Sequence, residues 1–352
     1  MPSDAERHPT QLRLFLEEIC CELCMFRHVA EDGLEPASVR IHREVDLGDE
    51  CGFADVLIEP EGQAPYFLEV KFGYPDEQVV RHVVRKYGRA NSNGRRADRL
   101  ILVLDGGGRE DFEAVVRDVR AGVAPDTEVE VWDEARLRAL VGERFGVRVG
   151  PLHGGDLVAV RTAIEEAQWR YAFYGDHADS PLRSSLLWHF GFWRLRRFRE
   201  RGTLAPEAVL PPGVCRRVVV LMADLCSFSS YVRDTPDDQV VRDCLTSFYS
   251  KARFEVIDSG GMMYQFVGDE IIAMFGVPDD GEPHVEAALR CAAALVDIGN
   301  SVSNEWQRRI DRVQERRGVH IGMAMGDVRI VSHRPFSRSH FGAVADELNL
   351  AA

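Results

Sequence analysis

The chain of 352 residues is 45% hydrophobic and 28% charged, a soluble globular profile long enough for two or three domains, which excludes a single small one. No apolar run approaches the roughly 20 residues of a membrane span, and residues 1–10 show no charged-then-apolar order of an export signal, so the expected location is the cytoplasm. Acidic residues outnumber basic ones by 57 to 43, for a net charge of -14, which excludes generic polyanion binding by the whole chain and leaves only a local basic strip for nucleic acid.

In chain order, apolar residues at helical spacing from Gln11 to His28 predict an amphipathic helix. Strands follow at Val39–Ile41, Phe53–Ile58 and Tyr66–Val70, the last two joined across Pro60-Glu61-Gly62 as a hairpin. A helix at Glu77–Tyr87, a strand at Leu100–Leu104, a helix at Glu110–Ala121, a strand at Glu128–Val131 and a helix at Glu134–Phe145 complete a first domain, 1–149, in the order αβββαβ with an αβα extension. Residues 150–215 read as a helical coupling linker, with the aromatic and basic stretch Leu187–Arg201 supplying packing residues. From 216 to 352 the pattern becomes strand Val218–Ala223, helix Asp237–Ile257, hairpin Met262–Val267 and Ile271–Phe275, helix Glu286–Arg316 and strand Val319–Met325. That βαββαβ order is ferredoxin-like. Cysteines 20, 21, 24, 51, 215, 226, 244 and 291 have no second Cys or His pair at zinc-finger spacing, so reduced, buried thiols are expected.

Two acidic side chains stand out in the second half. Asp224 ends the apolar run Val218–Ala223 where the chain turns toward a helix, and Asp269 occupies the tip of the next hairpin. In a ferredoxin-like sheet the two converge on one edge, and paired carboxylates repel unless a divalent cation is shared between them. The amides after Asp224, around Phe228 and Ser229, are placed to cradle phosphate oxygens. These features compose a metal and triphosphate site.

The residues resemble the class III nucleotidyl cyclases over about residues 201–352. Four ordered motifs carry the resemblance: Leu221-Met222-Ala223-Asp224-Leu225-Cys226-Ser227-Phe228-Ser229, the hairpin Val267-Gly268-Asp269-Glu270 running to Phe275-Gly276, Gly322-Met323-Ala324-Met325-Gly326, and Leu348-Asn349-Leu350-Ala351-Ala352. The resemblance implies two Mn²⁺ or Mg²⁺ ions held by Asp224, Asp269 and the Leu225 carbonyl, Asn349 positioning the ribose or stabilising the transition state, and a site formed between two protomers of a homodimer. The substrate is then a nucleoside triphosphate.

Where adenylyl members carry a base-reading Lys and an Asp or Thr, this chain has Gln265 and Gly342. The guanylyl Glu is missing as well. The similarity therefore points to the pyrimidine cyclases of Pycsar antiphage systems, with UTP ahead of CTP and a separate cyclic-nucleotide-activated effector. The family's transition-state Arg falls past Ala352, so the cyclase domain is expected to be incomplete as given. Adenylyl cyclisation with altered base contacts stays open, as does a DNA-binding or nuclease protein with a degenerate cyclase-like dimerisation domain.

In the first domain the spacing Asp55, Glu69 and Lys71 inside αβββαβ resembles the PD-(D/E)xK, restriction-endonuclease-like fold. That resemblance implies a divalent ion on Asp55 and Glu69, with Lys71 activating water. Glu17 or Glu18 is a candidate further ligand, and Arg81, Arg85, Lys86, Arg89, Arg95 and Arg96 form a basic strip for phosphates. DNA or a phage-derived trigger is the expected partner. The overall fold class is thus α/β and α+β.

Overall fold

A computed structural model describes residues 9–48, 51–88, 98–106, 111–152, 157–173, 177, 179–203, 205–278, 284–333, 340–346 and 350–351. The chain divides into two compact units, residues 1–161 and 162–352. The stretch read as a linker is thereby shared between them.

In the first unit, helix α1 (Pro9–Phe26) precedes strands β1 (Val39–Asp46), β2 (Phe53–Pro60) and β3 (Tyr66–Val70), helix α2 (Asp76–Tyr87), β4 (Arg99–Val103), α3 (Phe112–Gly122), β5 (Glu128–Trp132) and α4 (Glu134–Phe145). The sheet order is β1-β2-β3-β4-β5. The first three strands are antiparallel, and β3, β4 and β5 are parallel. Hairpins allow the antiparallel pairs, whereas parallel neighbours need the helical crossovers α2 and α3. On one face Leu57, Phe67, Leu100 and Leu102 pack against Val79 and Val83 of α2 and Val115 and Val119 of α3. Residues of opposite parity, including Val56, Ile58, Leu68 and Ile101, are equally buried, as expected of strands covered on both faces. Asp111 and Asp133 cap α3 and α4 by accepting from the amides of Ala114 and Arg136.

Helix α5 (Leu157–Phe173) carries the boundary between the units, and the second unit continues with α6 (Arg183–Glu200), β6 (Gly213–Leu225), α7 (Phe228–Asp234), α8 (Asp238–Asp258), β7 (Met262–Val267), β8 (Glu270–Phe275), α9 (His284–Ile310), β9 (Val319–His333) and β10 (His340–Val344). The order β10-β9-β6-β8-β7, with β8 and β9 both antiparallel to β6, is the ferredoxin-like arrangement plus one edge strand. Phe248, Val256, Cys291, Leu295 and Trp306 of α8 and α9 cover Leu221, Ala223, Ile271 and Ala273 of the sheet. The aromatic residues of α6 are internal: Phe190, Phe192, Trp193 and Phe198 are all buried. Arg253 of α8 fixes the helix by donating to the carbonyls of Leu187 and Trp188.

Several element bounds differ from the sequence expectation for physical reasons. Helix α9 stops at Ile310 rather than Arg316 because Asp311 adopts a left-handed backbone, φ 50°. Strand β9 runs to His333, well past the expected end at Met325. A bulge in β6 keeps the pairing going: the register shifts between Cys215 and Val218, so that Asp327 lies opposite two residues, and Arg217, at φ 55°, donates its amide to Asp327. All eight cysteines are free thiols, seven of them buried. No helix among the described residues is long and apolar enough to cross a membrane.

Candidate active site

Asp224 is the penultimate residue of the central strand β6, in register with Glu270 of β8 on one side and His320 of β9 on the other. Asp269 sits in the two-residue turn joining β7 to β8, where Gly268 supplies the positive φ of 61° that the turn demands. The hairpin tip is thereby brought beside the end of β6, and the Asp224 and Asp269 carboxyls meet closely enough to share a proton. Burial, the hydrogen bond that the protonated Asp269 donates to Asp224 and the Asp224 charge together push the Asp269 carboxyl up to about 7. The same negative field reaches further. Burial and then Asp224 raise Glu270 and the Cys226 thiol, and burial and then Asp269 raise the Tyr249 phenol.

Tyr249, which the sequence offered no reason to single out, anchors this geometry. Its hydroxyl donates to the Gly268 carbonyl, and its ring stacks on Phe266 at 4.3 Å between centroids. A tyrosine three turns into a helix reads as packing, and only the hairpin's position reveals its second role. On the other side of the site, Ser227 takes a left-handed conformation, φ 60°, to start α7. The phosphate-loop candidates divide there: Phe228 turns inward onto Trp306, with centroids 6.2 Å apart, while Ser229 is exposed. Trp306 in turn stacks near Tyr231 at 4.9 Å and donates to Thr235 Oγ1 at 2.9 Å. The turn after Asp224 is thus nailed to the helical core.

Gln265 is exposed, but Met263 departs from strict alternation with it. Met263 pairs with Ala273 and Gln265 with Ile272, so Tyr264 is an extra residue in β7. The bulge reverses the parity: Met263 points into the core while Gln265 shares the opposite face with Val267. That face also carries Met222 and Asp224, by their pairing with Ile272 and Glu270. Gly342 lies in β10 opposite Val331, and Asn349 lies outside the described residues. Gly322, opposite Met222, admits the Ala351 carbonyl oxygen at a distance no Cβ would tolerate.

The Asp224 carboxylate at the end of β6 and the Asp269 carboxylate at the neighbouring hairpin tip are oxygen donors of the kind that Mg²⁺ or Mn²⁺ takes, and the Leu225 carbonyl is the further donor expected from the sequence. The raised Asp269 carboxyl supports the fit: the site holds excess negative charge, and among the described residues no ion pair neutralises Asp224 or Asp269. Among those residues no group of three or more His, Cys, Asp or Glu side chains is gathered for metal binding.

In the first unit, Asp55 and Glu69 stand one residue beyond the paired Val56 and Leu68 on adjacent strands. The structure brings Asp55, Glu69 and Lys71 together: Lys71 Nζ donates to Asp55 Oδ2 at 2.7 Å and also contacts Glu69. Burial alone would lower the Lys71 ammonium, but the two carboxylates outweigh it and hold it above the usual lysine value. Lys86, read from the sequence as part of a surface strip, is buried and donates to both oxygens of Glu69 at 2.8 and 2.7 Å. It falls on the inner face of α2 with Val79, Val83 and Tyr87, whereas Arg81 and Arg85 are exposed. Arg89, Arg95 and Arg96 lie outside the described residues. Glu18 instead pairs with Arg161 at 2.6 Å, and Glu17 is buried on α1.

No family model matches the chain. A stretch of 139 residues, 39% of the chain, is 27% identical to adenylate cyclase 1 of Rhizobium meliloti (strain 1021) and covers 20% of it. The chain therefore spans about a fifth of the length of that curated relative. Similar solved structures include the adenylyl cyclase CyaB from P. aeruginosa, at 19% identity over 40% of this chain and 71% of that one, TM-score 0.36. Another is the guanylyl cyclase Cya2, at 23% identity over 40% of this chain and 69% of that one, TM-score 0.33. The likeness to a curated cyclase thus extends over 39% of the chain.

Proposed function

We propose that the second unit is a nucleotidyl cyclase that converts a pyrimidine nucleoside triphosphate, UTP ahead of CTP, into its 3′,5′-cyclic monophosphate and pyrophosphate. The ribose 3′-oxygen forms a bond to the α-phosphorus, the bond from that phosphorus to the bridging oxygen of the β-phosphate breaks, and the hydroxyl proton is lost to solvent. The observation that carries the proposal is the meeting of Asp224 and Asp269 at the end of the central strand, with charge that no ion pair among the described residues neutralises. Such a pair is costly to fold and has a use where a divalent cation and a triphosphate are to be held together.

Two Mn²⁺ or Mg²⁺ ions would supply a lowered hydroxyl pKa and charge neutralisation of the triphosphate. The chain's own part is positional. Asp224, Asp269 and the Leu225 carbonyl present the oxygens, Tyr249 fixes the hairpin that carries Asp269, and Trp306 fixes the turn that follows Asp224. Exposed Gln265 supplies a donor and an acceptor, matching the O4 and N3–H edge of uracil, and it faces the same side of the sheet as Asp224. Asn349 is assigned the ribose, and a second copy of the chain is assigned the rest of the site, as a homodimer.

The biological role proposed is second-messenger synthesis in antiphage defence in the cytoplasm, with a nuclease-like first unit sensing DNA or a phage-derived trigger and a separate effector reading the product. Adenylyl cyclisation is the alternative, favoured by the activity in the curated relative's name. Incubation of the purified chain with a single NTP and Mn²⁺, with pyrophosphate and cyclic nucleotide both measured, tests the reaction class. Stoichiometric release of the two products is expected, and pyrophosphate without cyclic nucleotide would refute cyclisation.

A further inference from the structure

The carboxylates of the first unit differ in one respect from those of the second: they already have their cations. Every oxygen of Glu69, a residue with 0% exposure, is engaged. Oε1 accepts from Lys86 Nζ at 2.8 Å, from the Tyr87 hydroxyl at 2.6 Å and from the Asp55 amide at 3.3 Å. Oε2 accepts from Lys86 at 2.7 Å and contacts Lys71. Asp55 Oδ2 accepts from the Val70 amide at 2.8 Å and from Lys71 at 2.7 Å, and Oδ1 lies 3.6 Å from Lys86 Nζ.

We propose that the Lys86 ammonium is the built-in cation of this cluster, so that the first unit holds no divalent metal at Asp55 and Glu69 and does not cleave nucleic acid. Two carboxylates and two ammonium groups sum to zero charge. Adding a divalent ion would leave two uncompensated positive charges in a site whose Glu69, Lys71 and Lys86 are all buried, and burying unpaired charge is strongly unfavourable. Entry of the ion therefore requires Lys86 to leave. Leaving is opposed by the helix, because Lys86 shares the inward face of α2 with Val79, Val83 and Tyr87, and its release would strip two donors from a carboxylate without access to water. With Lys86 removed the cluster would carry one net negative charge and two freed directions on Glu69, which is what a divalent ion needs.

The experiment counts bound Mn²⁺ by electron paramagnetic resonance on the full chain, with Asp224→Asn and Asp269→Asn introduced so that the second unit contributes none. This background is expected to bind no Mn²⁺ at low millimolar metal. Adding Lys86→Met, which keeps the volume and removes the charge, is expected to create one Mn²⁺ site per chain that Asp55→Asn then abolishes. Lys86→Arg is expected to bind none. One Mn²⁺ bound by the background with Lys86 in place, and lost on Asp55→Asn, would overturn the proposal without requiring the Lys86 variants to fold. A folded Lys86→Met protein that binds no Mn²⁺ would overturn it too, as would Mn²⁺-dependent nicking of DNA by the unaltered chain that Asp55→Asn removes. Because the second-unit carboxylates are replaced in every metal-counting arm and the nicking arm is judged by its loss on Asp55→Asn, the outcome is independent of whether that unit cyclises nucleotides.

Discussion

Asp224 and Asp269 face each other carboxyl to carboxyl, one at the end of the central strand and one at a hairpin tip, and Asp269 is pushed up to about 7 by burial and by its neighbour. The pair is therefore partly protonated near neutrality without a metal. With a divalent cation both groups would be ionised. Binding of Mn²⁺ should release about one proton below pH 6 and almost none above pH 8. Calorimetry in buffers of different ionisation enthalpy checks this, and proton release that does not vary with pH would contradict it.

The same shift sets the sign of a stability effect. An acid whose folded pKa lies above its unfolded value favours the folded state below the unfolded value, near 4, and that advantage is lost as pH rises through about 7. Metal-free protein should thus lose thermal stability from pH 5 to pH 8, and Asp269→Asn should flatten the profile. Thermal unfolding in a chelator at several pH values measures both.

Replacing either carboxylate by Ala should abolish cyclisation and leave the fold, since neither residue fills core volume. A loss of more than about 100-fold in kcat is expected from removing a shared ligand, with an unchanged circular dichroism spectrum. Tyr249→Phe should act more gently, because it removes the hydroxyl bond to Gly268 but keeps the ring stacked on Phe266. A fall in Mn²⁺ affinity with little change in melting temperature is the expected result.

Much of this site was legible in the sequence, and the exceptions share a cause. The strand run before Asp224 and the Gly268-Asp269 turn follow local patterns, so both aspartates were placed correctly on their elements. Gln265 is exposed and shares a face with Val267, as alternation along β7 predicts, but Met263 falls on the core side instead, because a bulge at Tyr264 adds one residue to β7 and no local signal announces it. Lys86 reads as one of six basic residues in a strip that begins on a helix and runs past its end. Whether a lysine on an amphipathic helix faces water or a buried carboxylate depends on which strand lies beneath, a tertiary fact. Partly buried Tyr249 and buried Tyr87 carry no sequence signal likewise, since tyrosines in helices normally serve packing and only their hydroxyl partners, Gly268 and Glu69, distinguish these two.

Trp306 links the helical core to the turn after Asp224 through Phe228, Tyr231 and Thr235. Its replacement by Ala should cost about 3–5 kcal/mol, as for other fully buried large aromatics. Trp306→Phe should cost less in stability while still leaving Thr235 without its donor. Chemical denaturation of the two variants, together with their kcat, separates the packing role from the positioning one.

The proposed base choice rests on Gln265. A missing hydrogen-bond partner in a desolvated site costs about 1–3 kcal/mol, roughly 5- to 150-fold in selectivity. Gln265→Lys should shift preference toward ATP by that order, and Gln265→Ala should weaken discrimination without restoring it.

The central claim is met most directly by giving the purified, full-length chain equal concentrations of all four NTPs with Mn²⁺ and identifying the products by mass spectrometry. The account predicts 3′,5′-cyclic UMP as the dominant product, dependent on both Asp224 and Asp269. Cyclic AMP as the dominant product would contradict the pyrimidine assignment, and no cyclic nucleotide from any of the four, with the protein folded and Mn²⁺ bound, would contradict the cyclase itself.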